Sequence, residues 1–331
     1  MTRVAVVGAG AWGTAIADLL ARNGHPATLW AREADVVADV NANHRNDRFL
    51  RGAELHPALA ATSALDACVA GAELVVFAAP SHVLRAVAAQ CAPHVRAHAT
   101  LAVATKGIER ETLLVMTDVV EAEVGGRPVV ALSGPSFAAE VAARQPTAVV
   151  AASSDAAAAA RVQRAFSSRE FRVYTHDDVV GVELGGALKN VIAIATGMVE
   201  GLGLGHNSRA ALITRGLAEI ARLGTALGAS PATFAGLAGM GDLVLTCTGA
   251  LSRNRAVGVE IGGGGTLDQA LAGRDTVAEG VVTTESAHAL AARLGVEMPI
   301  VRAVHRILFE GAAARDGIGE LMARELRPER D

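Results

Sequence analysis

The chain has 331 residues, 51% of them apolar, with 30 basic and 34 acidic side chains and a net charge of −4. That length and apolar content predict two globular domains, while the slight acidic excess and the scatter of the basic residues exclude a nucleic-acid footprint. No run of eighteen uncharged apolar residues marks an inserted helix, and three cysteines without metal-ligand spacing, behind a start that runs straight into a strand, predict a soluble cytoplasmic protein with reduced thiols and no bound metal.

The first element is an apolar strand, Val4 to Val7, which runs into Gly8-Ala9-Gly10-Ala11-Trp12-Gly13 and then into a helix. In that context the glycine pattern predicts a dinucleotide site. Gly8 permits the turn, Gly10 lets the backbone approach a pyrophosphate, and Gly13 lets helix and strand pack closely. The second strand, Ala27 to Trp30, ends in Ala31-Arg32-Glu33. Arg32 suits a 2′-phosphate and favours NADPH, and Glu33 is close enough to keep NADH open.

Further strand-like runs follow at Leu74 to Ala78, Thr100 to Ala104, Val129 to Leu132 and Thr147 to Ala151, alternating with helical stretches. That rhythm predicts an α/β fold, a Rossmann-type doubly wound parallel sheet over residues 1–181. Ligands of such sheets lie beyond the carboxyl ends of the strands, so Lys106, just after the run Thr100 to Ala104, the fourth of the six in the chain, is a candidate site residue.

From about Val182 the strand pattern stops, and residues 182–331 read as an all-helical domain, with apolar-periodic segments at Gly185 to Val199, Arg209 to Leu227, Thr283 to Leu294 and Ile300 to Phe309. The glycines between Gly197 and Gly205 are expected to form a mobile connection. Lys189 lies in the first helical segment. Lys106 and Lys189 are the chain's two lysines, against 28 arginines, and only lysine has a pKa that an apolar setting moves into the working range. Two arrangements fit Lys189: a stem laid along the core with its head in water, or a buried ammonium able to give and take a proton.

The stretch Gly239 to Arg255 reads as a chemically dense loop. Ser252 is placed to cap a helix continuing through Val259, with Arg253 and Asn254 in its first turn. Two readings fit here as well, a capped helix with a surface arginine and a phosphate grip at a helix N-terminus.

Seven segments in order, among them Gly8 to Thr14, Ala104 to Ile108, Leu132 to Ala138, Glu183 to Asn190, Ala210 to Gly216, Gly241 to Leu243 with Ser252 to Arg255, and Val277 to Gly280, resemble the bacterial NAD(P)-dependent sn-glycerol-3-phosphate dehydrogenases over nearly the whole chain. The resemblance implies reduction of dihydroxyacetone phosphate to sn-glycerol 3-phosphate, for phospholipid synthesis, with NADPH or NADH as cofactor. It implies that Lys189 exchanges the proton, and that Lys106, Gly134, Ser136, Asp242, Ser252, Arg253 and Asn254 surround the substrate. It places Trp12, Arg32, Lys106, Ala138, Arg253, Val277 and Glu279 near the cofactor. Ala11, His206, Arg209 and Gly249 depart from the pattern and take no role from it. A homodimer without nucleic-acid partners or membrane insertion is expected. From the residues themselves, a hydroxyacid dehydrogenase of the same two-domain design and a nucleotide sensor without turnover are the rival functions.

Overall fold

The computed structural model describes residues 1–273, 278–326 and 328–329. Eight strands, β1 (Val4–Val7), β2 (Ala27–Trp30), β3 (Ala60–Thr62), β4 (Leu74–Phe77), β5 (Thr100–Val103), β6 (Val129–Ser133), β7 (Thr147–Ala152) and β8 (Phe171–His176), form one sheet in the order β3-β2-β1-β4-β5-β6-β7-β8. All six expected strands are present. Side chains alternate across the sheet, Val4 and Val6 entering one apolar cluster and Ala5 and Val7 the other, so both faces of β1 are covered. The first cluster is completed by Ile16 and Leu20 of α1 (Ala11–Arg22), the second by Leu84 and Ala88 of α2 (Ser81–Cys91).

Two features of the sheet depart from expectation. The short β3 and the half-exposed β8 are additional strands, and β7 runs antiparallel to β6 where a parallel partner was expected. The helix between β6 and β7, Ala138–Ala142, has five residues. It rises only about 7 Å, less than half the length of a five-residue strand, so the chain enters β7 from the end at which it left β6.

The helical half is built around α3 (Val179–Gly201), buried from Gly181 to Val199. Its length and apolar composition would suffice to cross a membrane, yet 89% of its apolar window is buried inside the protein. Around it pack α4 (His206–Ala226), α5 (Asp242–Thr248), α6 (Arg253–Gly262) and α7 (Glu279–Leu294), with α8 (Pro299–Phe309) behind. The expected loop from Gly239 is therefore helical: a π-helical turn, Leu237–Gly241, leads directly into α5.

Only part of the expected connection lies between helices, Gly203 and Gly205 joining α3 to α4, while Gly197 and Gly201 belong to a close helix crossing. Gly197 and Gly201 of α3 meet Gly258 and Gly262 of α6. A Cβ at Gly258 would stand 2.0 Å from the Ile194 carbonyl oxygen, and one at Gly201 would stand 2.2 Å from that of Val259. The two backbones touch, so these glycines serve packing and fix where α6 lies relative to Lys189.

Candidate active site

Lys106 follows the carboxyl end of β5, where the Thr105 hydroxyl donates to the Ala79 carbonyl at 2.6 Å and ties this end to that of β4. The Lys106 ammonium donates to the Gly134 carbonyl at 3.2 Å and to Asp242 Oδ2 at 2.6 Å. Gly134 has φ +139°, and a Cβ there would lie 2.9 Å from Val149 Cα, so no larger residue fits the turn that presents this carbonyl. The Ser136 hydroxyl donates to the same carbonyl at 3.0 Å.

Asp242 is fully buried at the start of α5, and its other oxygen accepts from Lys189. One carboxylate thus bridges both lysines, one arriving from the sheet and one from the central helix. The Lys189 side chain is 9% exposed, so the arrangement with its head in water does not hold. Burial is the strongest influence on its ammonium and lowers the pKa; the Asp242 carboxylate raises it, and the like charge of Lys106 lowers it again. The balance lies at about 7, against 10.5 for a free lysine.

A second cluster adjoins the first through Asn190. Asn254 Nδ2 donates to Asn190 Oδ1 at 2.9 Å, and Asn254 Oδ1 accepts from the Gly280 N–H at 2.9 Å. Ser252 caps α6, its oxygen accepting from the Arg255 N–H at 3.3 Å. Arg255 makes a two-pronged ion pair with Glu200 at 2.9 and 2.6 Å, which pins the helix to the end of α3. The Arg253 guanidinium has no hydrogen-bond partner among the described residues, and its side chain reaches the surface. Glu279 reaches across to the sheet half, accepting from the Ser81 N–H at 3.2 Å and from the Ser81 hydroxyl. Burial pushes its carboxyl pKa up, against the Ser81 hydrogen bonds and the charges of His82 and Arg253.

The glycine turn lies on the sheet side. Gly8 has φ +118°, and a Cβ there would stand 2.7 Å from the Ala79 nitrogen. At Gly13 a Cβ would come within 1.8 Å of the Gly8 carbonyl oxygen, whereas at Gly10 it would meet nothing within 4 Å. Gly10 begins α1 with no side-chain cap. The Trp12 indole N–H is buried without a partner among the described residues, and Trp12 and Ala138 both pack on the first apolar cluster. A tight turn, open space at its second glycine and an uncapped helix N-terminus fit a dinucleotide pyrophosphate.

The structure therefore joins Lys106, Gly134, Ser136, Lys189 and Asp242 into one cluster and sets Ser252, Arg253, Asn254 and Glu279 beside it. Arg32 stays apart from the lysines, exposed at the end of β2 and bonded to Glu33. Val277 lies outside the described residues. Two participants missed by sequence reasoning are Asn190 and Thr246, whose hydroxyl donates to the Asp242 carbonyl at 2.6 Å. The available signals were an amide inside an apolar helix and a hydroxyl one helical turn beyond an acid.

Comparison with known proteins agrees with this fold. Residues 3–159 match the profile of the NAD-dependent glycerol-3-phosphate dehydrogenase N-terminus, and residues 178–318 match that of its C-terminus. The chain is 56% identical over 331 residues to a glycerol-3-phosphate dehydrogenase [NAD(P)+] of Geobacter sulfurreducens, covering 99% of each chain. Among solved structures it resembles the glycerol-3-phosphate dehydrogenase of Coxiella burnetii, at 41% identity and a TM-score of 0.94, covering 98% of this chain and 99% of that one. A yeast enzyme of the same name aligns at 27% identity and a TM-score of 0.83, with coverage of 98% and 99%.

Proposed function

The chain belongs to the NAD-dependent glycerol-3-phosphate dehydrogenase family, and from that premise we propose that it interconverts dihydroxyacetone phosphate and sn-glycerol 3-phosphate with NADH or NADPH, Lys189 exchanging the proton. The observation that carries the assignment of Lys189 is the buried Lys106–Asp242–Lys189 bridge beyond the carboxyl end of β5.

When bound, the nicotinamide supplies a hydride to the ketone carbon. As negative charge grows on the carbonyl oxygen, the Lys189 ammonium hydrogen-bonds it and then releases its proton to it, which a pKa of about 7 allows at neutral pH. Asp242 fixes both ammonium groups, and Lys106 keeps the pKa of Lys189 down while orienting the substrate. Arg253, with its guanidinium unengaged, grips the phosphate together with the Ser252 hydroxyl proton and the second amide hydrogen of Asn254 at the start of α6. This remote grip orients the carbonyl against Lys189, and the glycine crossing of α3 and α6 fixes the distance between the two.

In this reading residues 1–181 carry the dinucleotide, on Gly8, Gly10, Trp12, Gly13, Arg32, Lys106 and Ala138, and residues 182–331 supply the substrate grip and reach toward the cofactor with Glu279 and Arg253. The enzyme acts in the cytoplasm as a homodimer and supplies glycerol phosphate to phospholipid synthesis. Three unpaired, buried cysteines support the reducing compartment.

Initial rates of NADPH and NADH oxidation with dihydroxyacetone phosphate and with unphosphorylated dihydroxyacetone test the reaction. Turnover confined to the phosphorylated ketone supports it. A protein that binds the dinucleotides and turns over neither ketone refutes it.

A further inference from the structure

Arg32 Nε and Nη2 both donate to a single oxygen, Glu33 Oε1, at 3.2 and 2.9 Å. The Arg32 side chain is 81% exposed and that of Glu33 19%, so the acid is the more firmly held member of the pair. Glu33 occupies the N-cap position of the helix Ala34–Asn43 without capping it, its side chain turned toward Arg32. The neighbouring acid, Asp35, is itself engaged by Arg48 at 3.1 Å. The Gly8 N–H donates to the Trp30 carbonyl at 3.2 Å, which ties the glycine turn to the end of β2 two residues before Arg32. A dinucleotide seated on that turn brings its adenosine ribose to this strand end.

The geometry points to Glu33 as the residue that sets the balance between NADH and NADPH in this chain. The inference rests on the reading that the Gly8 to Gly13 turn holds the dinucleotide. A 2′-phosphate and the Glu33 carboxylate are rival anions for Arg32, so NADPH must take the arginine from its neighbour while lying close to a like charge. NADH meets no such conflict. Glu33 Oε2 has no partner among the described residues and would accept from a ribose 2′-hydroxyl while Arg32 stays on Oε1. Glu33 therefore acts in two ways, both favouring the unphosphorylated cofactor.

The test is a fluorescence titration of NADH and of NADPH, without substrate, into the wild type, Glu33→Gln, Glu33→Ala, Arg32→Ala and the Arg32→Ala, Glu33→Gln pair. Loss of the carboxylate is expected to tighten NADPH about tenfold and to weaken NADH about threefold, scaled for one partly screened charge and one hydroxyl contact. In the Arg32→Ala background the gain for NADPH falls below about threefold, because the carboxylate then has no arginine to withhold. A ratio of the two Kd values that stays within about twofold of wild type in both Glu33 variants overturns the inference and leaves the dinucleotide site standing. A wild type that binds neither cofactor overturns the inference together with the reading beneath it.

Discussion

Replacing Asp242 with asparagine removes the one negative charge shared by the buried Lys189 ammonium and the partly buried Lys106 ammonium while keeping the shape of the side chain. The carboxylate raises the Lys189 pKa against burial and against Lys106, and the balance stands at about 7. An opposite charge in contact favours the charged form, so Asp242→Asn lowers the Lys189 pKa further below 7. At pH 7 the protonated fraction then falls well below one half, and kcat/KM for ketone reduction falls by a factor on the order of ten to a few hundred. The sign is set by the direction of reaction. Reduction needs protonated Lys189, so its rate is full below the pKa and declines as pH rises through it; oxidation of sn-glycerol 3-phosphate needs the neutral amine and shows the opposite limb. The variant should regain reduction activity as pH falls below 7, and its oxidation limb should move acidward by the same interval. Initial rates in both directions between pH 5 and 9, with melting temperatures to follow folding, decide the matter. A loss of activity that is the same at every pH, with the midpoint still near 7, would refute the electrostatic role given to Asp242.

Arg253→Ala should raise KM for dihydroxyacetone phosphate at least tenfold, with a smaller change in kcat, because it removes a charged phosphate contact distant from the reacting carbon; an unchanged KM counts against the phosphate grip. Glu219 of α4 is buried behind the first turn of α8, where it accepts from the N–H groups of Ile300 and Val301 at 2.7 and 3.3 Å, and burial raises its pKa from 4.5 to about 7. A carboxyl raised on folding contributes stability that is complete below about pH 4.5 and is lost as pH rises through 7. Denaturant unfolding of Glu219→Gln should therefore lack part of the decline that the wild type shows between pH 4.5 and 7, and identical slopes for the two proteins would contradict the account.

Much of the site was legible because its local chemistry is written in short segments. The strand, the three glycines and α1 follow one another within residues 4–22, and Ser252 caps α6 three residues before the N–H it accepts from. The lysines stood out by rarity, Lys106 also by its place after a strand. What escaped depends on contacts between distant segments. The Asn190–Asn254 bond joins residues 64 apart, and the direction of β7 is decided by a five-residue helix that gives no hint of orientation. The three residues of β3, Ala-Ala-Thr, are too few to display a period. Gly197 and Gly201 read as flexibility because a sequence does not reveal the backbone of α6 lying against them.

Proton exchange at Lys189 is probed by the rate of Lys189→Arg at neutral pH, with the NADPH Kd measured beside it. Arginine keeps the charge but does not release the proton, so the account predicts a fall in kcat of about 10² to 10⁴ with cofactor affinity within a few fold of wild type. A Lys189→Arg enzyme that turns over dihydroxyacetone phosphate at close to the wild-type rate would contradict it.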